Sequence, residues 1–274
     1  MSKRVCILPC MEFVNDRYFL YAVDSVVNDV DLLIFSVNQR SWGNSDIVLT
    51  NENKQWIENF VKTNPKFNLF LGNWDQEHEQ HNANIDYALS LGADTILCTA
   101  SDQVYGEGDV KKMLDTLENS DADVLRVQWH TFWKLDPLCL IWPPEPWNPV
   151  LAFKPKKFRY LGTSEGKGVD ENGKIVDPKT IVLSINDVKV YHFSFAHDDE
   201  FIKHKMEMST HRTQYIPGWY EAVWKNWNPS MRDIHPAWSK MWQSAQPFPL
   251  EHLPPKIRGY FKMLQEKKRW MGTL

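Results

Sequence analysis

The stretch from Gly72 to Tyr105 constrains the fold of this chain more than any other part of its sequence. It starts as a polar turn and continues as an amphipathic helix over about residues 77–91, followed by a short apolar run at residues 95–99 that is typical of a buried strand. Asp102 lies just beyond that run. Ligands of open α/β sheets bind beyond the carboxyl ends of strands, so we expect Asp102 to be an exposed ligand-binding residue.

The rest of the first 130 residues repeats this alternation of strands and helices. Short apolar runs predict strands, and apolar residues at helical spacing predict helices. The predicted strands cover residues 4–8, 31–37, 67–71, 95–99 and 124–129, and further helices begin near Asp16, Asn51 and Asp109. Such alternation predicts an α/β fold with a mostly parallel sheet flanked by helices and joined by right-handed crossovers.

The pattern changes after Trp129, where prolines interrupt the sequence but aromatic residues persist. We predict an irregular segment covering one face of the sheet, then a strand at residues 187–195 and a helix at residues 198–211. Residues from Pro217 onward are rich in tryptophan and proline and end in a short basic helix. We therefore divide the chain into a main domain, residues 1–212, and an extension packed on it, residues 213–274.

The charge balance gives no overall case for a nucleic-acid or membrane protein, because the net charge is −4. The basic segment at residues 256–269 is either a phosphate- or lipid-facing tail or a solvated helix face, and the second interpretation is favoured. The 13 tryptophans suit stacking on sugars or bases, although they serve equally well as core residues.

The cysteines show no metal-ligand spacing, and Cys6 and Cys98 are predicted to be buried thiols. No signal-peptide pattern is recognised at the N-terminus, and no apolar run approaches the roughly 18 residues that would span a membrane. We expect a cytoplasmic protein without a transmembrane segment. No glycine-rich dinucleotide motif or Walker loop follows a strand, which argues against a dinucleotide- or ATP-binding protein.

A set of residues occurs in a familiar order: Gly72-x-Trp74, His81-Asn82 on a helix, and Asp102 and Tyr105 after a strand. This order resembles the centre of a GT-A-type glycosyltransferase of the family 2 kind, which uses nucleotide sugars. The resemblance covers roughly residues 3–212 and is most specific in residues 72–105 and 188–212. It implies a Rossmann-like GT-A fold with residues 1–212 as the catalytic domain.

The resemblance also implies a metal site. In that family the last aspartate of an Asp-x-Asp element holds a divalent cation that clamps the donor's phosphates, and this position falls on Asp102. His192, in a strand that precedes a helix carrying Lys205, matches the family's metal-facing histidine. Oxygen ligands suit Mg²⁺ or Mn²⁺, and a histidine favours Mn²⁺. Ala100 and Gln103 replace the family's first aspartate and usual glutamate, so weak metal binding or an unusual donor is expected.

The resemblance further implies contacts to the donor, most readily a UDP-sugar. The candidate donor-binding residues lie at strand exits and on the predicted helices: Pro9, Cys10, Glu12, Asn38, Trp74, His81, Asn82, Ser101 and Lys205. The alternative for the residues at the strand exits is a purely loop-forming role.

An inverting transferase also needs a carboxylate base that deprotonates the acceptor hydroxyl. The acidic residues in the expected region are Asp136, Glu145, Glu165, Asp170, Glu171 and Asp177. We rank Asp170 and Glu165 first, ahead of Glu145, because they flank a glycine-containing loop. Without a base, a retaining mechanism stays open.

Three functions compete. The first is metal-dependent transfer of a sugar from a nucleotide-diphosphate donor to a hydroxyl acceptor. The second is the same chemistry on a hydroxylated base in phage-type DNA, where aromatic rings would hold the flipped base. The third is a non-catalytic carbohydrate- or partner-binding module with a decayed donor site, which Ala100 and Gln103 favour. A nucleotidyltransferase would usually carry an N-terminal glycine-rich basic loop, which this sequence lacks.

Overall fold

The structure is a computed structural model that describes residues 2–10, 16–42, 46–161, 166–209 and 212–271. Strands and helices alternate in its first half as predicted, with one exception. The elements are β1 (Arg4–Cys10), α1 (Phe19–Val26), β2 (Leu32–Asn38), α2 (Asn51–Phe60), β3 (Phe67–Gly72), α3 (Glu77–Ser90), β4 (Thr95–Cys98), β5 (Gln103–Tyr105), α4 (Asp109–Glu118) and β6 (Val124–Val127). The exception is the short strand β5, which follows β4 directly.

The second half contains more regular structure than predicted. Its elements are β7 (His130–Leu135), β8 (Leu138–Trp142), β9 (Val150–Phe153), β10 (Phe158–Tyr160), β11 (Gly166–Val169), β12 (Ile175–Val176), β13 (Thr180–Leu183), β14 (Val190–Phe195), α5 (Asp199–Met208), β15 (Ser244–Pro247) and α6 (Pro255–Met271). The strand predicted at residues 187–195 is confirmed as β14, and the helix predicted at residues 198–211 is confirmed as α5.

The central sheet has seven strands in the order β13-β6-β9-β4-β1-β2-β3. The run β4-β1-β2-β3 is parallel, and so is the pair β6 and β13, whereas β9 lies antiparallel between β4 and β6. The predicted α/β class with a mostly parallel sheet is confirmed. The carboxyl ends of β1, β2, β3 and β4 therefore meet at one edge of the sheet.

The middle strands of the central sheet are buried on both faces, and successive side chains of each strand point to opposite faces. On β1, Cys6 and Leu8 join the cluster formed with α1 and α4, whereas Val5 and Ile7 join the cluster that contains Ile85 of α3. Each fully buried aliphatic side chain of this kind stabilises the fold by about 1.5–3 kcal/mol. Helices on both faces thus keep the sheet rigid beneath its carboxyl edge.

The segment expected to be irregular after Trp129 instead contains strands, and two of them, β7 and β8, belong to a second sheet of five strands in the order β15-β8-β7-β14-β5. Pro137 lies in the turn between β7 and β8, and Pro143 to Pro149 lie between β8 and β9. The prolines therefore mark loops between strands rather than irregular chain, since proline interrupts a strand's hydrogen bonding only where it lies inside one. A small sheet, β10-β11-β12, precedes β13.

The C-terminal segment completes the second sheet. β15 pairs antiparallel with β8, and Trp219, Trp224 and Trp242 form one buried cluster with Trp133 of β7. These four tryptophans are core residues. The boundary at residue 212 stays a prediction, although a sheet formed by β8 and β15 crosses it.

The basic terminal helix has 17 residues and is longer than predicted. One side of it packs on the protein rather than facing solvent. Its Ile257 and Phe261 pack against Phe193 on the second sheet. Lys256 and Lys268 form ion pairs with Asp24 and Asp136. No helix in the described ranges is both long and apolar enough to cross a membrane.

Candidate functional site

Asp102 lies between β4 and β5, at the carboxyl edge of the central sheet. Its backbone carbonyl accepts a hydrogen bond from Phe193 N at 2.8 Å, and β5 pairs antiparallel with β14, which places Gln103 opposite His192. The side chain is not exposed as expected, because Asp102 is only 7% exposed. The second sheet explains this difference, since β14 covers the residue from the side.

The Asp102 carboxylate lies between two basic side chains. Its Oδ1 is 3.7 Å from His192 Nε2, and its Oδ2 is 3.3 Å from Lys205 Nζ. Lys205, on α5, also donates hydrogen bonds to Oγ of Ser194 at 2.8 Å and to its carbonyl at 3.1 Å. The structure thus brings together Asp102, His192 and Lys205, which lie far apart in the sequence.

Electrostatics fix the charge of this cluster. Burial raises the pKa of Asp102, but the charge of Lys205 and its hydrogen bond act in the opposite direction, and the net result is a lowered pKa and an anionic carboxylate. Burial lowers the pKa of His192 despite the opposing effects of Asp102 and Glu145, which favours the neutral imidazole. A carboxylate beside a neutral imidazole is a combination that binds divalent cations.

A second acidic–basic pair adjoins the cluster. Asp16 Oδ2 is 3.6 Å from His197 Nε2, and both side chains are buried. Burial and the charge of Asp102 raise the pKa of Asp16 to about 7, and burial lowers the pKa of His197 to about 2. Neither ring nitrogen of His197 has a hydrogen-bond partner among the described residues. Sequence reasoning missed this pair because no local pattern links the two residues.

Trp129 and Glu145 lie near His192. The sequence analysis did not propose Trp129 as a site residue, and it ranked Glu145 below Asp170 and Glu165. The Trp129 ring stacks on the His192 imidazole with centroids 4.1 Å apart and an interplanar angle of 25°. Glu145 is 8% exposed and accepts hydrogen bonds from Trp129, Thr131 and Trp242. The only sequence signal for Glu145 was its place among six acidic candidates.

The turn before β5 is held by the side chains of Gln103 and Tyr105. Gln103 Oε1 accepts hydrogen bonds from Thr99 Oγ1 at 3.1 Å and from Ala100 N at 3.2 Å. Tyr105 O–H donates to Thr99 Oγ1 at 2.9 Å. The amide of Gln103 therefore closes the turn that presents Asp102, a role that needs no charge.

Asn38 is the last residue of β2, Trp74 follows the end of β3, and two hydrogen bonds join them. Asn38 Nδ2 donates to Trp74 O at 2.8 Å, and Asn38 Oδ1 accepts from Trp74 N at 3.0 Å. The Trp74 indole covers Gly72, where a Cβ would lie 2.3 Å from the ring, so only glycine fits there. Both polar groups of the Asn38 amide bind the turn that carries Trp74.

His81 and Asn82, on α3, contact the small sheet. The His81 ring stacks on Tyr160 with centroids 4.4 Å apart, and Asn82 exchanges two hydrogen bonds with the Tyr160 backbone at 2.8 and 3.0 Å. Asn82 therefore anchors β10 to α3. Any donor contact of Asn82 would have to coexist with these bonds.

The remaining predicted residues divide into three groups. Pro9 and Cys10 end β1, and Ser101 is buried in the turn before Asp102, so all three lie at the same sheet edge as Asp102. Glu12 and Glu165 lie outside the described residues. Asp170 Oδ1 accepts hydrogen bonds from Asn172 N and Lys174 N, both at 2.9 Å, and so holds the turn between β11 and β12.

Asp102 and His192 can share a divalent metal ion only if a bound ligand supplies further donor atoms. Two donor atoms that each lie about 2.1 Å from one cation are at most about 4.2 Å apart, so the 3.7 Å between Asp102 Oδ1 and His192 Nε2 allows a shared ion. The described residues contain no group of three or more His, Cys, Asp or Glu side chains arranged to hold a metal. Phosphate oxygens would complete such a site, as they commonly do for Mg²⁺.

Comparisons with known proteins give structural neighbours alone, since no family model and no curated protein matches the sequence. S. aureus TarS matches at 12% identity over 75% of this chain, with a TM-score of 0.42. TarS 1–349 in complex with UDP-GlcNAc matches at 14% identity over 47% of this chain, with a TM-score of 0.35.

4-Diphosphocytidyl-2C-methyl-D-erythritol synthase from Anaerococcus prevotii DSM 20548 matches at 10% identity, over 57% of this chain and 71% of that protein, with a TM-score of 0.38. This chain spans 38% and 35% of the lengths of the two TarS structures. TM-scores below 0.5 do not establish a shared fold, so the functional argument depends on the geometry of the site.

Proposed function

We propose that this protein transfers a sugar from a nucleotide-diphosphate donor, a UDP-sugar in the first instance, to a hydroxyl acceptor. One observation carries the proposal: the buried Asp102 carboxylate lies between His192 and Lys205 at the carboxyl edge of the parallel strands. Ligands of α/β sheets bind at that edge. The TarS complex with UDP-GlcNAc is consistent with this donor class but does not carry the proposal.

The chemistry requires stabilisation of a leaving nucleoside diphosphate, on which negative charge grows as the glycosidic bond breaks. Asp102 Oδ1 and His192 Nε2 would hold Mn²⁺ or Mg²⁺, which neutralises that charge when bound. Lys205 places an ammonium group beside the same carboxylate, where Asp102 Oδ2 and Ser194 Oγ accept its hydrogen bonds. Pro9, Cys10, Glu12 and Ser101 are proposed to contact the donor at the sheet edge.

The acceptor hydroxyl loses its proton as the new bond forms, and a carboxylate base accelerates this step. Asp170 and Glu165 remain the proposed bases. For Asp170 this role requires one carboxylate oxygen to be available, and its two observed hydrogen bonds both use Oδ1. The acceptor is proposed to be a glycan or a modified nucleobase.

The experiment that tests the proposal is thermal unfolding of the protein with a panel of nucleotide sugars, with Mn²⁺ and with a chelator. A ligand that binds only the folded state raises the melting temperature. We expect a rise with at least one donor that is lost on chelation and lost in the Asp102→Asn and His192→Ala variants. Absence of any rise in the wild-type protein would refute the donor class and favour a binding module.

A further inference from the structure

Glu145 is a buried carboxylate held by hydrogen bonds alone. It lies in the loop between β8 and β9, and none of the ion pairs formed by the described residues includes it. Burial of an anion is costly unless fixed donors replace its lost water. Trp129 Nε1 and Thr131 Oγ1 donate to Oε2 at 2.5 and 2.8 Å, and Trp242 Nε1 donates to Oε1 at 2.5 Å.

Two of these donors are direct neighbours of His192. Trp129 stacks on its imidazole at 4.1 Å, and Thr131 lies opposite His192 in the register of β7 and β14. A hydrogen bond at the indole nitrogen fixes the rotation of the Trp129 ring, and the ring in turn limits the rotation of the imidazole. Trp129 thus contacts both Glu145 and His192.

The third donor comes from the C-terminal segment. Trp242 precedes β15, is 3% exposed, and packs edge-on against Phe195 of β14 with centroids 4.8 Å apart. Its indole Nε1 donates to the Glu145 oxygen that Trp129 and Thr131 leave unused. Trp242, in the segment after residue 212, is thus joined to Glu145 by a hydrogen bond and to β14 by aromatic packing.

We propose that Glu145 is a positioning residue that, together with Trp242, holds Trp129 against His192 and so orients the imidazole toward Asp102. This inference depends on the proposed function, because it concerns the orientation of a ligand in that site. Glu145 is not a base for the acceptor, since both its oxygens are buried and engaged. It follows that the C-terminal segment is part of the site rather than a separate module.

The test compares Glu145→Gln and Trp242→Phe with Trp224→Phe as the matched control. The glutamine keeps the shape but turns an N–H toward an indole N–H. Trp224 lies in the same aromatic cluster as Trp242, and its Nε1 donates to Asp199 Oδ1 at 2.8 Å, away from Glu145. The control therefore loses the same kind of hydrogen bond without disturbing Glu145.

The first readout is the upfield ring-current shift that Trp129 produces at the His192 imidazole protons, measured by NMR at one alkaline pH. We expect the shift to shrink in Glu145→Gln and Trp242→Phe and to persist in Trp224→Phe. An unchanged shift in Glu145→Gln would overturn the proposal. This readout needs no donor, so it decides the role of Glu145 even if the wild-type protein binds no nucleotide sugar.

The second readout is the affinity for Mn²⁺ in the presence of UDP, measured by electron paramagnetic resonance. We expect Glu145→Gln to weaken it about 10-fold, as is usual for residues that orient a metal ligand. The double variant with Trp129→Phe should bind no more weakly than Trp129→Phe alone. Additive losses would mean that Glu145 does not act through Trp129. Failure of the wild-type protein to bind Mn²⁺ and UDP would refute the proposed function instead.

A second pair of variants covers the case in which Glu145→Gln does not fold. Thr131→Val deletes one hydrogen bond to Glu145 at nearly constant shape, and Thr131→Ser retains the hydroxyl. We expect the valine variant to reduce the His192 ring-current shift and the serine variant to restore it. Identical shifts in the two variants would contradict the proposal.

Discussion

Asp102 functions as a shared acceptor whose two oxygens face different partners. Oδ1 faces His192 and Oδ2 faces Lys205, so the carboxylate can bind a cation on one side while an ammonium group neutralises it on the other. The lowered pKa keeps the group anionic at neutral pH. The residue therefore combines burial, which strengthens its interactions, with a charge that is available for a ligand.

Replacement of Asp102 by asparagine is expected to abolish sugar transfer without unfolding the protein. Loss of charge stabilisation on the leaving group should reduce the rate about 100-fold or more. The free energy of unfolding should fall by about 1–3 kcal/mol, because Lys205 keeps its bonds to Ser194. Transfer kinetics and urea unfolding measure both effects.

The matched control is Asp75→Asn, which removes an exposed ion pair with Arg40. It should cost less than about 1 kcal/mol and leave transfer intact. Wild-type turnover by Asp102→Asn would show that Asp102 is structural.

Asp16 should make stability depend on pH. Its pKa in the folded protein is raised to about 7, so its contribution to stability is complete below about pH 4 and is lost as the pH rises to about 7. The Asp16→Asn variant does not lose this stability as the pH rises, because an amide does not ionise. The variant should match the wild type near pH 4 and become more stable than it at higher pH, by on the order of a few kcal/mol above pH 7.

Urea unfolding of both proteins across this pH range measures the difference. His197, which faces Asp16, stays neutral in the folded state because burial lowers its pKa to about 2. Its contribution to the pH dependence is therefore present in both proteins and cancels in the comparison. A difference in the free energy of unfolding between the two proteins that stays constant over the whole pH range would contradict the prediction.

At the scale of elements, α5 matters because it carries Lys205 to Asp102. The helix starts at a capping residue, Asp198, whose carboxylate accepts a hydrogen bond from Phe201 N at 2.9 Å. Ile202 is fully buried and fixes the first turn against the aromatic cluster. The placement of the lysine thus depends on a local signal and on one buried contact.

Asp198→Ala should lower stability by about 1 kcal/mol through loss of the cap and should also weaken donor binding. The control is Thr50→Ala, because Thr50 caps α2 by accepting a hydrogen bond from Asn53 N at 3.1 Å, and α2 carries no proposed site residue. Thermal unfolding with and without donor measures both variants. Equal donor affinities in the two would show that α5 placement does not limit binding.

At the scale of the whole molecule, α6 closes the structure by covering the second sheet. Phe261 is 1% exposed and stacks on Phe193 of β14 with centroids 5.7 Å apart. The strand that bears His192 is therefore buried between the site on one side and α6 on the other.

Phe261→Ala should lower the free energy of unfolding by about 3–5 kcal/mol, as expected for deletion of a buried aromatic ring. Met263→Ala on the same helix is the control, since Met263 is 54% exposed and should change stability by about 0.5 kcal/mol or less. Chemical denaturation measures both. Similar effects of the two variants would show that α6 does not dock on the sheet.

The sequence by itself determined the order of strands and helices from β1 to β6, except for the short β5, and the place of Asp102 at a strand end. Both follow from local patterns, because side-chain period and turn residues report which face of an element is buried. The same patterns failed between residue 130 and β14, where prolines between β8 and β9 were interpreted as irregular chain rather than as a loop between strands.

Only the tertiary structure decided which side chains meet. The contacts of Asp102 with Lys205, of Asp16 with His197 and of Glu145 with Trp242 join residues about 100 or more positions apart. Periodicity shows that a side chain is buried but not what lies against it. The pairing of β5, β7, β8 and β15 with β14 in one sheet determines those partners, and it places Asp102, which was predicted to be exposed, in a buried position beside Lys205.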